Sequence, residues 1–384
     1  MTNPGKGKKP EGDKLYFPNL NGLRAIGASI VMIGHVEFIK SSWNMSSYSW
    51  FPIPGKVGVT LFFALSGFLI TSLLLQELAD KRTIQLKKFY LRRIFRIWPL
   101  YYLVVGLSLF VFTRIGFLIP PGQVHEPLTL TNVFILIFLL PNFTHFFIPY
   151  ADQRWSIVVE EQFYLMQPFL IRLLRKRERL IVAFLVIIFS PEIWSGLVRL
   201  VHANRWVSAN ITDALALQLK YLACIAVGCL FSVVFFKREG VLKKLLFTPA
   251  IQLLVTGCIV ACIIAGFYIY HSDELIDFRI YSFLFAMVVV NASQNPRTLF
   301  RLEKPVLDFL GKISYGIYMY HPVCIGTALA IVRVLPVSGM IVQNLVIYAL
   351  SIGLTIFVAW LSFTYFEAFF LRLKSRFQAD PKII

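Results

Sequence analysis

Acidic side chains are scarce in this chain. Asp and Glu number 20 among 384 residues, and the four charged types together make up only 15% of the sequence. A soluble domain carries about 25% charge, so the deficit argues against an ordinary water-soluble protein. Cysteine is sparse as well. The five, at 224, 229, 258, 262 and 324, all lie inside apolar runs, and no CxxC pair occurs. Neither a disulfide framework nor a metal site is expected. The first eighteen residues are polar and contain Lys and Gly. They lack the short apolar core and small-residue cleavage site of a removable signal peptide, and no internal repeat is visible.

Apolar residues are in excess. They make up 57% of the chain, with 36 Phe and a mean hydropathy of +0.69. Apolar runs of about 20 residues, the length that crosses a bilayer core, recur from end to end. The expected fold is therefore all-α: a polytopic membrane bundle of about ten transmembrane helices. The expected spans are 20–40, 57–78, 96–118, 156–174, 180–201, 213–236, 246–270, 278–294, 313–335 and 341–368. Residues 1–18 are read as a disordered N-terminus, 19–372 as the membrane domain and 373–384 as a tail. No stretch is long enough for a separate soluble domain.

The net charge of +18 would suit nucleic acid if the bases formed one patch. Instead they sit between the apolar runs, which excludes nucleic acid as the expected partner and points to a lipid bilayer. Of 38 Lys and Arg, 28 fall in the N-terminus, in 80–96, 172–179, 237–244 and 297–312, and after 370. The alternate loops are nearly bare of them, and 271–277 reads "HSDELID". The positive-inside rule then places both termini in the cytoplasm. It also decides the run 130–148. With 118 outside and 172–179 inside, only one crossing fits between them, so 130–148 is expected to be re-entrant or interfacial. Its "PNFTH" and Pro149 suit that.

Ionisable residues inside such spans are functional candidates. In "NLNGLRAIGASIVMIGHVEF" (19–38), Arg24 and His35 stand eleven positions apart, about three turns and roughly 16 Å along one helix face. The first is an anchor of phosphate-binding type near the cytoplasmic boundary. The second is a proton-transfer group deeper in the bilayer. In "KKFYLRRIFRIWPLYY" (87–102), Arg92 with Arg96 and Arg93 with Arg96 are spaced to share a face, and Arg suits bidentate phosphate recognition. "FFALSGFLIT" (62–71) carries Ser66 and Gly67, small enough for a helix or a ligand to approach closely. "RWSIVVEEQFYL" (154–165) places Glu160 and Glu161 in an apolar helix about 100° apart, so one of them at most faces His35. A carboxylate there would hold the imidazole in its working tautomer. "GKISYGIYMYHPV" (311–323) offers Tyr315, Tyr318 and Tyr320 for stacking or hydrogen bonding with a polar substrate. His321 reads equally well as a site residue or a bonded core residue. His125, His145, His202 and His271 fall in outer segments and carry no assigned role.

These five stretches, in this order over about 19–323, resemble the bacterial membrane-bound acyltransferase-3 family. Its Arg-x10-His falls on Arg24 and His35, its Arg-x-x-Arg on Arg93 and Arg96, and its "SGF" on Ser66, Gly67 and Phe68. Its Trp-Ser…Glu-Glu falls on Trp155, Ser156, Glu160 and Glu161. The last motif departs from the pattern, with Tyr320 where Trp usually precedes the histidine. The resemblance implies a multi-pass protein of the bacterial cytoplasmic (inner) membrane. It would transfer an acyl group, usually acetyl, from acyl-coenzyme A to a hydroxyl of a saccharide or glycoconjugate, with no tightly bound cofactor. Arg24, Arg93 and Arg96, with Arg92, Ser66 and Gly67, would hold the donor. His35 would act as base or acyl carrier with Glu160 or Glu161. Trp155, Ser156, Tyr315, Tyr320 and His321 would meet the acceptor. Some members carry an outer hydrolase-like domain; with the sequence ending soon after the last span, transfer is expected to be direct or to use a partner protein. A transporter with an intramembrane His/Glu site is the alternative from another class.

Overall fold

A computed structural model describes residues 17–45, 55–120, 128–140, 148–202, 209–268, 277–336 and 339–377. Every regular element among them is helical. The expected N-terminal disorder and the segment 141–147 fall almost wholly outside the described residues. Six helices have the length and apolarity to cross a membrane, which makes the chain a multi-pass membrane protein. In outline they are α1 (Leu20–Ser42), α2 (Gly55–Lys81), α3 (Leu86–Phe110), α8 (Ala209–Phe235), α13 (Ser314–Val334) and α14 (Met340–Leu361). A seventh results if α6 (Arg177–Ile188) and α7 (Ser190–His202) form one broken span, bent by 47°. Pro191 in the first turn of α7 fits that break.

Three further helices occupy expected spans but fall short on charge or length. α5 (Arg154–Leu174) carries Arg154, Glu160, Glu161 and Arg172, whereas α10 (Pro249–Tyr268) and α11 (Phe278–Gln294) present shorter apolar stretches. The run expected to be re-entrant or interfacial contains α4 (Leu130–Ile137). Eight residues make about 12 Å of helix, far less than a bilayer core, so α4 adds no span. Thr129 caps it by accepting from the Asn132 amide, and Tyr102 and Gln162 bond the Ile137 and Leu139 carbonyls to hold it on α3 and α5. Two short helices, α9 (Val241–Leu246) and α12 (Pro305–Lys312), precede α10 and α13. α14 continues through a π turn (Ser362–Glu367) into α15 (Ala368–Ser375).

The helix α2 is central and mostly buried, packing on α1, α5, α8 and α11. Lipid supplies no hydrophobic drive between helices, so close van der Waals contact and interhelical hydrogen bonds must hold them together. Both are present here. A Cβ at Gly67 would lie 2.1 Å from the Ile225 carbonyl oxygen, and one at Gly228 would lie 2.1 Å from that of Ala64. The backbones of α2 and α8 therefore touch where each helix offers a glycine. Ser72 and Ser232 bond at 2.8 Å across the same pair, and Gln167 of α5 donates to Thr71 at 2.7 Å. At the other end of the bundle, buried Lys40 bonds Glu37 and Asn344, and Tyr348 donates to Glu37, joining α1 to α14.

Gly67→Val should thus force the α2–α8 backbones apart. A loss of about 3 kcal/mol, typical of severe overpacking, would appear in detergent as a lower melting midpoint or loss of the monodisperse peak. Gly106→Ala, at a position with nothing within 4 Å, should leave the midpoint unchanged or raised.

Candidate functional site

A cavity of about 1050 Å³ opens between α1, α2, α3, α5, α12, α13 and α15. Burial gives it a direction. Lys304, Pro305, Lys312 and Ser375 are exposed at its rim, whereas Val59, Ser156 and Tyr318 are buried at its far end. α12 seats the rim against α1, because a Cβ at Gly311 would be 2.1 Å from the Asn21 carbonyl oxygen. Asn21 in turn donates to Asp308 at 2.8 Å, and Lys312 pairs with Asp308 at 2.7 Å. The Lys312 ammonium and the Asn21 amide hold the Asp308 carboxyl below its ordinary range.

Three guanidinium groups from two helices enter this cavity: Arg24 from α1, and Arg93 and Arg96 from α3. Arg24 donates to Asn21 at 3.1 Å. Arg93 lies over the rings of Tyr164, at 5.2 Å, and Phe89, at 5.9 Å. Lys374 of α15 adds a fourth cation. The carboxylates lining the cavity are Glu160 inside and Glu303 and Asp308 at the rim. Glu160 accepts from Tyr164 at 3.1 Å, and Ser66 lines the cavity with it. Cations therefore outnumber carboxylates in a partly desolvated space, an arrangement that binds anions.

His35 is absent from the described lining of this cavity. It lies behind the far wall and is reached through two rings. Tyr318 closes the cavity, its hydroxyl 2.5 Å from Ser156 Oγ and 3.1 Å from the Gln153 carbonyl. The Tyr318 ring is 5.8 Å from the His321 ring, which is 4.8 Å from that of His35. Against its other side His35 packs on Gly55, where a Cβ would come within 2.8 Å of the imidazole. Both histidines have one tautomer dictated by a helix carbonyl. His35 Nδ1 is 2.7 Å from the Val31 oxygen, and His321 Nδ1 is 2.8 Å from the Tyr318 oxygen. A carbonyl only accepts, so each neutral ring carries its proton on Nδ1 and keeps a lone pair at Nε2. His321 is fully buried, and among the described residues its Nε2 has no partner.

Several sequence expectations need correction. The carboxylate expected to orient His35 does not. Ser156 meets Tyr318, so Glu160, one turn further along α5, falls about 6 Å toward the arginines, and Val31 orients the imidazole instead. Glu161 faces α3, where Trp98 Nε1 donates to it at 2.9 Å. Arg92 leaves the arginine face to pair with Glu77 at 3.4 Å and bond the Phe377 carbonyl at 3.3 Å. Gly67 meets α8, not a ligand. Trp155 stacks near Tyr221, with ring centroids 4.4 Å apart, and Tyr320 donates to Ser362 at 3.2 Å; neither lines the cavity. Ser66, Ser156 and Tyr315 do line it, and Tyr315 is held by the Ile97 carbonyl at 2.8 Å. Tyr164 and Lys374 escaped the sequence reading. Tyr164 stands four residues after Glu160, a spacing that could have revealed it. Lys374 lies among the basic residues after 370, whose charge the positive-inside rule already explains.

A family model described as an acyltransferase domain, Acyl_transf_3, matches residues 17–364, and the chain belongs to that family. Among curated proteins the chain is similar to O-acetyltransferase OatA of Staphylococcus aureus. It is 27% identical to that of strain NCTC 8325 / PS 47 and 26% identical to that of strain MRSA252, in each case over 367 residues. These matches take in 92% of this chain and 57% of each relative, so the chain spans little more than half their length. No solved structure matches it.

An excess of cations in one cavity predicts anion binding that salt weakens. Inorganic pyrophosphate at low ionic strength should raise the melting midpoint by at least about 2 °C. The shift should shrink at high salt and vanish in Arg96→Ala. Replacing Trp98 by Phe strands the buried Glu161 carboxylate, and a loss of about 1–3 kcal/mol should appear as a lower midpoint.

Proposed function

We propose that the chain is an integral-membrane O-acyltransferase. It moves an acyl group, acetyl in the simplest case, from cytoplasmic acyl-coenzyme A to a hydroxyl of a saccharide-bearing acceptor, in the cytoplasmic membrane of a bacterium. One observation carries the reading: Arg24 from α1 and Arg93 and Arg96 from α3 converge in a cavity whose far wall is two rings away from His35. The family membership and the printed name of the OatA relatives support the chemistry.

The cavity, at about 1050 Å³, lies just above the roughly 300–1,000 Å³ usual for small-molecule sites, which suits an extended nucleotide-bearing donor. The arginines hold its diphosphate, and the pantetheine arm runs toward Tyr318 and Ser156. Arg24 and His35 lie on one unbroken helix, so their rise of about 16 Å measures the distance the arm covers. Passage beyond the wall requires the Tyr318 hydroxyl to leave Ser156 and Gln153. His35 then offers the Nε2 lone pair that Val31 leaves free, and two uses of it balance. As a base, it takes the proton of the acceptor hydroxyl while the oxygen bonds to the thioester carbonyl. As a carrier, Nε2 itself bonds that carbonyl and then passes the acyl group to the hydroxyl. In both, the C–S bond breaks and the sulfur leaves as thiol once protonated. Glu160, at the arginine end, partly offsets the guanidinium charges and accepts a hydrogen bond from Tyr164.

Purified protein given acetyl-CoA and a hydroxyl acceptor should release free thiol, and His35→Ala should lose at least about a hundredfold of that rate, the scale of general-base or nucleophilic catalysis. Arg93→Ala or Arg96→Ala should raise KM for the donor about tenfold or more, whereas Arg92→Ala should leave it within about twofold. Absence of thiol release with every hydroxyl acceptor offered would sink the reading.

A further inference from the structure

Lys374 is a cavity-lining cation outside the family motifs, set deeper than the exposed Lys304 and Lys312. It projects from the last described turn of α15 into the cavity that Arg24, Arg93 and Arg96 also line. Among the described residues no hydrogen bond or ion pair reaches its ammonium group. Such a placement raises the energy of the empty protein, because a fourth like charge joins three others where water is partly excluded. Of the other basic side chains lining the rim, Lys312 has Asp308 as its partner and Lys304 is exposed to water; Lys374 is half-buried in the cavity lining and has no partner among the described residues. An anion in the cavity is the partner that resolves this.

The order of groups along the cavity identifies which anion. A donor that enters with its thioester toward Tyr318 places its diphosphate at the three arginines. Its ribose comes last, at the rim beside exposed Ser375 and Lys304. In coenzyme A that ribose bears a 3′-phosphomonoester, whose second pKa near 6 gives it about −1.5 to −2 charge at pH 7. The diphosphate carries one charge on each phosphorus and is served by the guanidinium groups. The monoester needs a cation of its own at the rim side of the cluster, and a single ammonium serves it as a point charge.

Resting on the acyl-CoA reading above, we propose that Lys374 binds the 3′-phosphate of the donor's ribose, so that α15 selects coenzyme A thioesters over their 3′-dephospho analogues. The test compares acetyl-CoA with 3′-dephospho-acetyl-CoA in the thiol-release assay. The native protein should show a KM at least about tenfold higher for the dephospho donor, the scale of one charge-assisted contact. Lys374→Ala should raise KM for acetyl-CoA by a similar factor and leave KM for the dephospho donor within about twofold, with kcat unchanged for both. Lys374→Arg should restore the discrimination. A structural role for Lys374 would instead move both KM values together, and that result, or no change in either, would overturn the inference while leaving the acyl-CoA reading intact. If neither donor supports turnover by the native protein, both fail. A second measurement does not depend on how the variant folds. In the native protein, adenosine 3′,5′-bisphosphate should protect Lys374 from an amine-reactive reagent and adenosine 5′-monophosphate should not; equal protection by the two would overturn the assignment.

Discussion

Like charges gathered inside an apolar bundle repel one another and lose hydration. Arg24, Arg93, Arg96 and Lys374 nevertheless share one cavity. A lone guanidinium near a membrane surface can snorkel to the headgroups, but four cations from α1, α3 and α15 that point inward cannot all do so. The fold therefore keeps them apart and partly offset. Asn21 accepts from Arg24, the Tyr164 ring lies under Arg93, and Glu160 supplies the one carboxylate inside. What remains is an uncompensated positive field, open at the rim and closed at the far end. The site is built around that residual charge.

The chemistry at the other end obeys a different constraint. An imidazole in an apolar helix must spend one nitrogen on a backbone carbonyl or leave it orphaned. His35 and His321 each spend Nδ1 on an oxygen of their own helix, Val31 and Tyr318, so the free lone pair of each sits at Nε2. This local bond does the orienting that a carboxylate does in a triad, and Glu160 is thereby released to serve the anion-binding end. The hydrogen bond that the Tyr318 hydroxyl donates to the Gln153 carbonyl, and the one it shares with Ser156, separate the two ends. A cationic chamber and an imidazole pair thus occupy the same helices without mixing their electrostatics.

Part of the candidate cavity's lining was legible in the motifs, though not the role of each residue. Arg24, Arg93, Arg96, Ser66, Ser156, Tyr315 and Tyr318 share the cavity. The misreadings have a common cause. Spacing along one helix tells which residues share a face, but not what that face meets. Arg92 and Arg96 are one turn apart, yet the nearby Glu77 draws Arg92 away. The angular separation of Glu160 and Glu161 sends them to different faces, but the partner of each, Tyr164 and Trp98, depends on how far α5 slides past α3 and α13. Gly67 was expected to admit a helix or a ligand, and the matching Gly228 on α8 selected the helix.

Composition and run length were enough to establish a polytopic helical membrane protein, because twenty apolar residues have few stable fates other than a span. The helical period was enough to place Arg24 beneath His35, because both lie on one unbroken helix. Depth and rotation between different helices depended on packing. Backbone contacts at Gly67, Gly228 and Gly311 and the hydrogen bonds of Tyr318 set them. Pairings such as Lys374 with the arginines, or His35 with His321, join segments some three hundred residues apart and leave no periodic trace in the chain.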